Sequence, residues 1–232
     1  MHTNVEQQRN EMNVSDNCEY IKGEIVDATE CVHNHLSTYI GDVTKVFSSG
    51  PGGLFNAKDI DVGVIEPTEE RPFYTLSTLG MSNITMAAPE GEMKHIELIM
   101  CLPADWDFRK ENQIWPVRMM KDLAWYVYSE KTYLGVDHTL PNGEPPEPWS
   151  PDTEMCGVLV SLPILTPAEF CSGLDFQSKQ VSFLSLIPLY LQEMDLKISQ
   201  GSDALYECFE RHQVSELFDA ERPVSCLSKR TD

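Results

Sequence analysis

The stretch from Asp59 to Trp106, DIDVGVIEPTEERPFYTLSTLGMSNITMAAPEGEMKHIELIMCLPADW, sets the tightest limits on how this chain can fold. Ile60, Val62 and Val64 alternate with Asp59, Asp61 and Gly63, the period-2 pattern of a strand with one buried face. That pattern puts the two aspartates together on the other face. Phe73 to Leu79 is rich in aromatic and β-branched residues, which suit a pleated surface, and Gly80 ends the run. From His95 to Leu102, Ile96, Leu98 and Met100 share one side, while His95, Glu97, Ile99 and Cys101 share the other. The far end of this run is apolar on both sides, so both faces are expected to be buried until Pro103 stops the strand.

Helical periodicity frames these strands. Asp16 and Glu19 mark a helix start, and Ile21, Ile25, Ala28, Val32, Leu36 and Tyr39 recur at spacings of three and four up to Gly41. His33 and His35 are expected to be partly exposed on this helix. Consecutive residues on one helix cannot form the ββα metal unit that an HNH nuclease needs. Val43 to Ser48 is a short strand, and residues 49–53 are a glycine-rich turn with no Lys-Ser/Thr to make it a phosphate cradle. Pro116 suits a first helical turn, and Val117, Met120, Leu123, Ala124 and Val127 give a core-facing stripe.

Beyond the proline-dense loop GEPPEPWSPD, CGVLVSLPIL is a buried strand. Thr166 to Glu169 has the form of a capping box. VSFLSLIPLYLQEMDLKI supplies a strand and, after Pro188, a short helix. Ser202 and Asp203 are expected to cap a last helix with Leu205, Cys208, Phe209 and His212 on one stripe. The tail from about Pro223 is expected to add an edge strand.

The chain has 17 basic and 37 acidic residues, a formal net charge of −20, which disfavours nucleic-acid and anionic-lipid partners. Seven cysteines, without a Cys-x-x-Cys pair and mostly within apolar runs, fit neither a disulfide framework nor a zinc site. No signal-peptide core and no membrane-length apolar run occurs, so a cytoplasmic protein is expected. The organisation expected is a flexible segment 1–17, one domain over 18–227, and a tail 228–232.

Two blocks carry a family resemblance. PTEERPFYTLSTLGMSNITM with IELIMCLPADW, and WPVRMMKDLAWYVYSEKTYLGVDHTLPNGEP, resemble the suppressor-of-fused-like domain, as does the Pro188–Met194 segment. Residues 49–53 depart from many bacterial relatives, which carry a His-Glu segment there. The resemblance implies an α+β fold, with a central twisted, mostly antiparallel (mixed) sheet flanked by helices. It implies a non-catalytic protein-binding domain without a cofactor, and bacterial stand-alone members act as immunity proteins that neutralise a toxin encoded beside them. In animal members the residues matching Tyr126 and Asp137 help to grip a partner peptide.

Tyr126 offers a ring and a hydroxyl, and Asp137 a carboxylate. With His138 and the Asp59/Asp61 face they form the expected partner-binding set. A basic, nuclease-like toxin suits the −20 charge. Two alternatives stand beside this reading. One is a metal-dependent hydrolase using Asp59, Asp61, Glu97 and His95, and the other is sequestration of a transcription factor.

Overall fold

A computed structural model describes residues 28–48, 60–177 and 179–226. In chain order the elements are α1 (Ala28–Tyr39), β1 (Val43–Phe47), β2 (Asp61–Ile65), β3 (Phe73–Leu79), β4 (His95–Pro103), α2 (Trp115–Ser129) and β5 (Thr139–Pro141). Then follow β6 (Gly157–Ser161), α3 (Ala168–Cys171), β7 (Leu174–Phe176), β8 (Lys179–Leu189), α4 (Leu191–Gln200) and α5 (Ser202–His212). The strands form one sheet in the order β1-β2-β3-β4-β8-β6-β5, with β7 paired to β8 off this path. Every pairing is antiparallel except β4 with β8. The expected mixed α+β sheet is therefore the fold.

Strand alternation divides the core between the two faces. On one face Val62, Val64, Leu76, Leu98, Met100, Val158, Val160, Leu184 and Leu186 pack against Met120, Leu123, Ala124 and Val127 of α2. The other face carries two separate covers. Val32 and Leu36 of α1 meet Leu79, Ile99, Phe170 and Phe183, while Met194 of α4 and Leu205 and Phe209 of α5 meet Leu159, Ile187 and Leu189.

One polar residue crosses this apolar pattern. Glu97 of β4 is fully buried, and its carboxylate accepts five hydrogen bonds from the turn that ends β3. Oε1 receives the N–H groups of Gly80 (3.1 Å) and Ser82 (3.0 Å) and the Ser82 hydroxyl (2.7 Å). Oε2 receives the Thr78 hydroxyl (2.6 Å) and the Met81 N–H (3.2 Å). Gly80 takes φ 102°, a conformation that a side chain at this position would strain. Burial pushes the Glu97 carboxyl above its ordinary pKa, and the bonds from Ser82, Thr78 and Gly80 pull the other way.

A second buried carboxylate fixes the C-terminal segment. Glu193, in the first turn of α4, accepts the Arg222 guanidinium through both oxygens (2.6 and 2.7 Å) and the Ser225 N–H and hydroxyl (2.9 and 2.7 Å). Burial alone would raise its pKa, and the Arg222 and Ser225 contacts outweigh that and hold it below the usual carboxylate range. Residues 223–226 are therefore an irregular strap and not the expected edge strand.

Several expectations are corrected. β2 is buried on both faces, with Ile65 under α1, so only half-buried Asp61 interrupts an apolar strand. His35 is 6% exposed and not on the surface, because α3 and β8 close over it. Its ring stacks on Phe183 at 5.1 Å and contacts Phe170, and its Nε2 bonds the Phe170 carbonyl at 3.1 Å. Pro188 lies inside β8 opposite Val158, and the short helix expected after it is α4, which begins at Leu191. α3 begins at Ala168 after an uncapped Pro167, with Thr166 Oγ1 turned to Cys171 Sγ at 3.2 Å, so the capping box does not form. α5 likewise has no side-chain cap. The expected helix start at Asp16, the loop 49–53 and Asp59 lie outside the described residues.

The buried titratable groups Glu97 and His35 each give a stability prediction. Glu97→Ala leaves five donors without an acceptor and should lower the unfolding free energy by about 3 kcal/mol or more in urea denaturation. Burial holds the His35 imidazole below its ordinary pKa, so the unfolded chain takes up a proton at a pH where the folded chain does not. The urea midpoint should therefore fall as pH drops below about 6.5, by a component missing in His35→Leu.

Candidate functional site

The connector between α2 and β5, residues 130–138, brings Asp137 and His138 to the β5 end of the sheet. α2 starts with Pro116 in its first turn and ends with Tyr126 40% exposed, on the rim of its buried stripe. Asp137 adopts φ 68°, and its N–H donates to the Val160 carbonyl (2.8 Å), so the connector is tied to β6 before β5 begins. β5 is three residues long, pairs with β6, and ends the sheet order.

Asp137 is not a free carboxylate. Its Oδ1 accepts the Tyr206 hydroxyl of α5 at 2.7 Å, and Ser161 Oγ lies 3.2 Å from the same hydroxyl. Burial pushes Tyr206 up to about 12, and Asp137 adds to the rise while the Ser161 bond opposes it. One carboxylate oxygen is thus fixed by α5, which aims the group beside the edge strand. His138 packs edge-on against Tyr133 at 4.9 Å between ring centroids, and its carbonyl accepts the Val160 N–H (2.8 Å).

The expected set is split. Asp61 bonds Ser48 Oγ at 3.1 Å on β2, five strand spacings from β5, roughly 24 Å away. Asp137 and His138 are adjacent to the edge strand, Tyr126 is one connector away, and Asp61 belongs to the other end of the sheet. Glu97 and His95, offered as metal ligands in the hydrolase alternative, are committed elsewhere. Glu97 is spent on the β3 turn, and His95 Nδ1 bonds the Ser82 carbonyl at 2.8 Å. No group of three or more His, Cys, Asp or Glu side chains among the described residues is placed to hold a metal ion. The thiols Cys31, Cys101, Cys156 and Cys208 are buried, and Cys101 is pushed up to about 12, chiefly by burial, which suppresses its reactivity. No helix among the described residues is long and apolar enough to cross a membrane.

Sequence reasoning did not find Tyr206. It stands 69 residues from Asp137, and in sequence it is one more aromatic on an amphipathic helix.

Comparison with known proteins decides the family. The sequence profile of the suppressor of fused protein family matches residues 56–223. The chain belongs to the suppressor-of-fused family. No curated protein matches it significantly. Among solved structures, the suppressor-of-fused chain is similar to a protein described as a suppressor-of-fused homologue from Neisseria gonorrhoeae, at 16% identity and TM-score 0.63, over 86% of this chain and 97% of that one. A chain from the Sufu-Fu complex matches at 12% identity and TM-score 0.61, over 85% and 91%. Drosophila Suppressor of Fused matches at 12% identity and TM-score 0.54, over 85% of this chain and 50% of that one. At these identities the likeness shows the shared fold.

Replacing Asp137 with Asn should bring the Tyr206 hydroxyl down from about 12 towards its ordinary value, read by carbon-13 NMR of the tyrosine Cζ signals. An unmoved titration would mean that Asp137 does not hold that hydroxyl in solution.

Proposed function

We propose that this suppressor-of-fused domain is a stoichiometric protein-binding module, an immunity protein that neutralises a basic toxin domain. The observation that carries the reading is the edge strand β5, which follows directly from Asp137 and His138 and pairs with β6. A sheet edge offers backbone donors and acceptors to an extended peptide, and flanking side chains select which peptide docks. The Asp137 oxygen not held by Tyr206 accepts from that peptide, and Tyr126 covers it with a ring at low entropic cost. A net charge of −20 speeds encounter with a cationic protein and repels nucleic acid. The Sufu-Fu complex, a structural relative, is named for an assembly of two proteins, which fits a binding role for the fold.

The test begins with an affinity capture at low salt from a lysate that expresses the neighbouring genes, with bound proteins identified by mass. One basic, toxin-like protein recovered near equimolar amount is the expected result. Against that partner, the double substitution of Tyr126 and Asp137 to Ala should weaken binding by about 2 kcal/mol or more in calorimetry. Unchanged affinity would remove both residues from the site.

A further inference from the structure

The loop between β6 and α3 turns two large aliphatic side chains to solvent. Leu162 is 52% exposed and Ile164 67% exposed, on either side of buried Pro163. Single exposed aliphatics are ordinary on a protein surface. This pair is different because the rest of the chain holds its backbone still. Glu216, itself only 1% exposed, accepts the Ile164 N–H on Oε2 (3.1 Å) and the Leu165 N–H on Oε1 (2.7 Å). The Arg71 guanidinium donates to the Leu165 carbonyl and to Thr75 Oγ1 of β3 (3.0 Å). The segment that carries Glu216 is fixed in turn to β4, where the Phe218 N–H donates to the Cys101 carbonyl at 2.9 Å.

Burying a carboxylate costs desolvation. Here that cost goes into fixing a loop whose Leu162 and Ile164 side chains stay largely outside the core. An apolar surface ordered in advance loses little conformational freedom when a partner covers it.

The loop is continuous with the β5 end of the sheet. Ser161, the last residue of β6, directly precedes Leu162, and its Oγ lies 3.2 Å from the Tyr206 hydroxyl that donates to Asp137. Asp203 and Glu210, three residues before and four after Tyr206 on α5, share its helix face and are exposed. Carboxylates therefore border the apolar pair on the α5 side.

That border selects what can cover it. A second copy of this chain would bring like charges together, and a nucleic acid or an anionic bilayer would be repelled. A protein surface with an apolar centre and Lys or Arg at its rim satisfies both parts. We propose that Leu162 and Ile164 form a second docking element, on which the protein partner seats an apolar patch whose basic rim meets Asp203 and Glu210. The assignment rests on the binding reading given above and names the chemistry that its partner presents beside Asp137.

The test titrates acetyl-Lys-Leu-Lys-Leu-Lys-amide into the methyl-labelled full chain and follows the Leu162 and Ile164 methyl signals by NMR. One control peptide has Ser in place of Leu and keeps the charge, and the other has Glu in place of Lys and keeps the apolar groups. Val46, exposed on β1 at the other end of the sheet, reports indiscriminate contact. The expected result is a saturable shift at Leu162 and Ile164 with the first peptide, little with either control, and little at Val46. In the double variant Leu162→Ser/Ile164→Ser, read at the Ser161 and Leu165 amides, affinity should fall about tenfold. Both side chains are exposed, so this variant keeps the fold. Asp203→Asn with Glu210→Gln should weaken binding as well. No shift, equal shifts with either control, an equal shift at Val46, or unchanged affinity in the Leu162/Ile164 variant overturns the proposal. The peptide does not depend on Tyr126 or Asp137 docking a protein. Loss of the loop signal with an intact effect of the Tyr126/Asp137 pair sinks the loop alone, and the reverse sinks the docking reading alone.

Discussion

A fully buried carboxylate with five donors around it is expensive unless every donor stays in place. Glu97 imposes that condition on the turn after β3. The Gly80, Met81 and Ser82 N–H groups point inward only if Gly80 adopts its left-handed conformation, and the Thr78 hydroxyl reaches Oε2 only if β3 and β4 keep their register. Thr78 also accepts the Leu98 N–H at 2.8 Å, so the side chain that anchors the carboxylate replaces a missing ladder bond. The motif Thr-Leu-Gly-Met-Ser and the Glu of Ile-Glu-Leu are thus two halves of one latch. The loop leaving this latch carries Glu92 to the connector before β5. A constraint in the middle of the sheet therefore bears on the position of a side chain near its β5 end.

The centre and the β5 end of the sheet differ in how their polar groups are used. The β4/β8 centre is buried on both faces, and the Glu97 carboxylate there is committed to the turn after β3. At the β5 end, one oxygen of Asp137 is held by Tyr206, and Asp137 and His138 are half-buried. Rigid support with uncommitted termini is the arrangement that lets a binding surface avoid ordering costs when a partner arrives.

Much of the fold was legible because long strands declare themselves. Phe73–Leu79 matches its expected limits residue for residue, and His95 to Leu102 are buried throughout, as the two-sided apolar pattern implies. The α2 stripe of Val117, Met120, Leu123, Ala124 and Val127 is buried as read. Short elements were not legible. β5 and β7 have three residues each, and they are strands because Val158 and Val181 stand ready to pair with them, not because Thr-Leu-Pro or Leu-Asp-Phe prefer it. Pro188 occupies a late position in β8, where its carbonyl accepts from Arg222 Nη2 at 2.9 Å, and the expected helix follows it from Leu191. The Asp137–Tyr206 pair depends on a contact across a long sequence separation, which no local pattern encodes.

Native-state amide exchange tests the latch most directly. The Gly80, Met81 and Ser82 N–H groups lie in a turn and would exchange rapidly if the turn were an ordinary surface loop. With Glu97 accepting all three, they should exchange only through global opening, with the same free energy as Leu98 and Ile99 of β4. Exchange of these three amides at loop rates while β4 stays protected would contradict the account, and the placement of Glu92 beside β5 would need another cause.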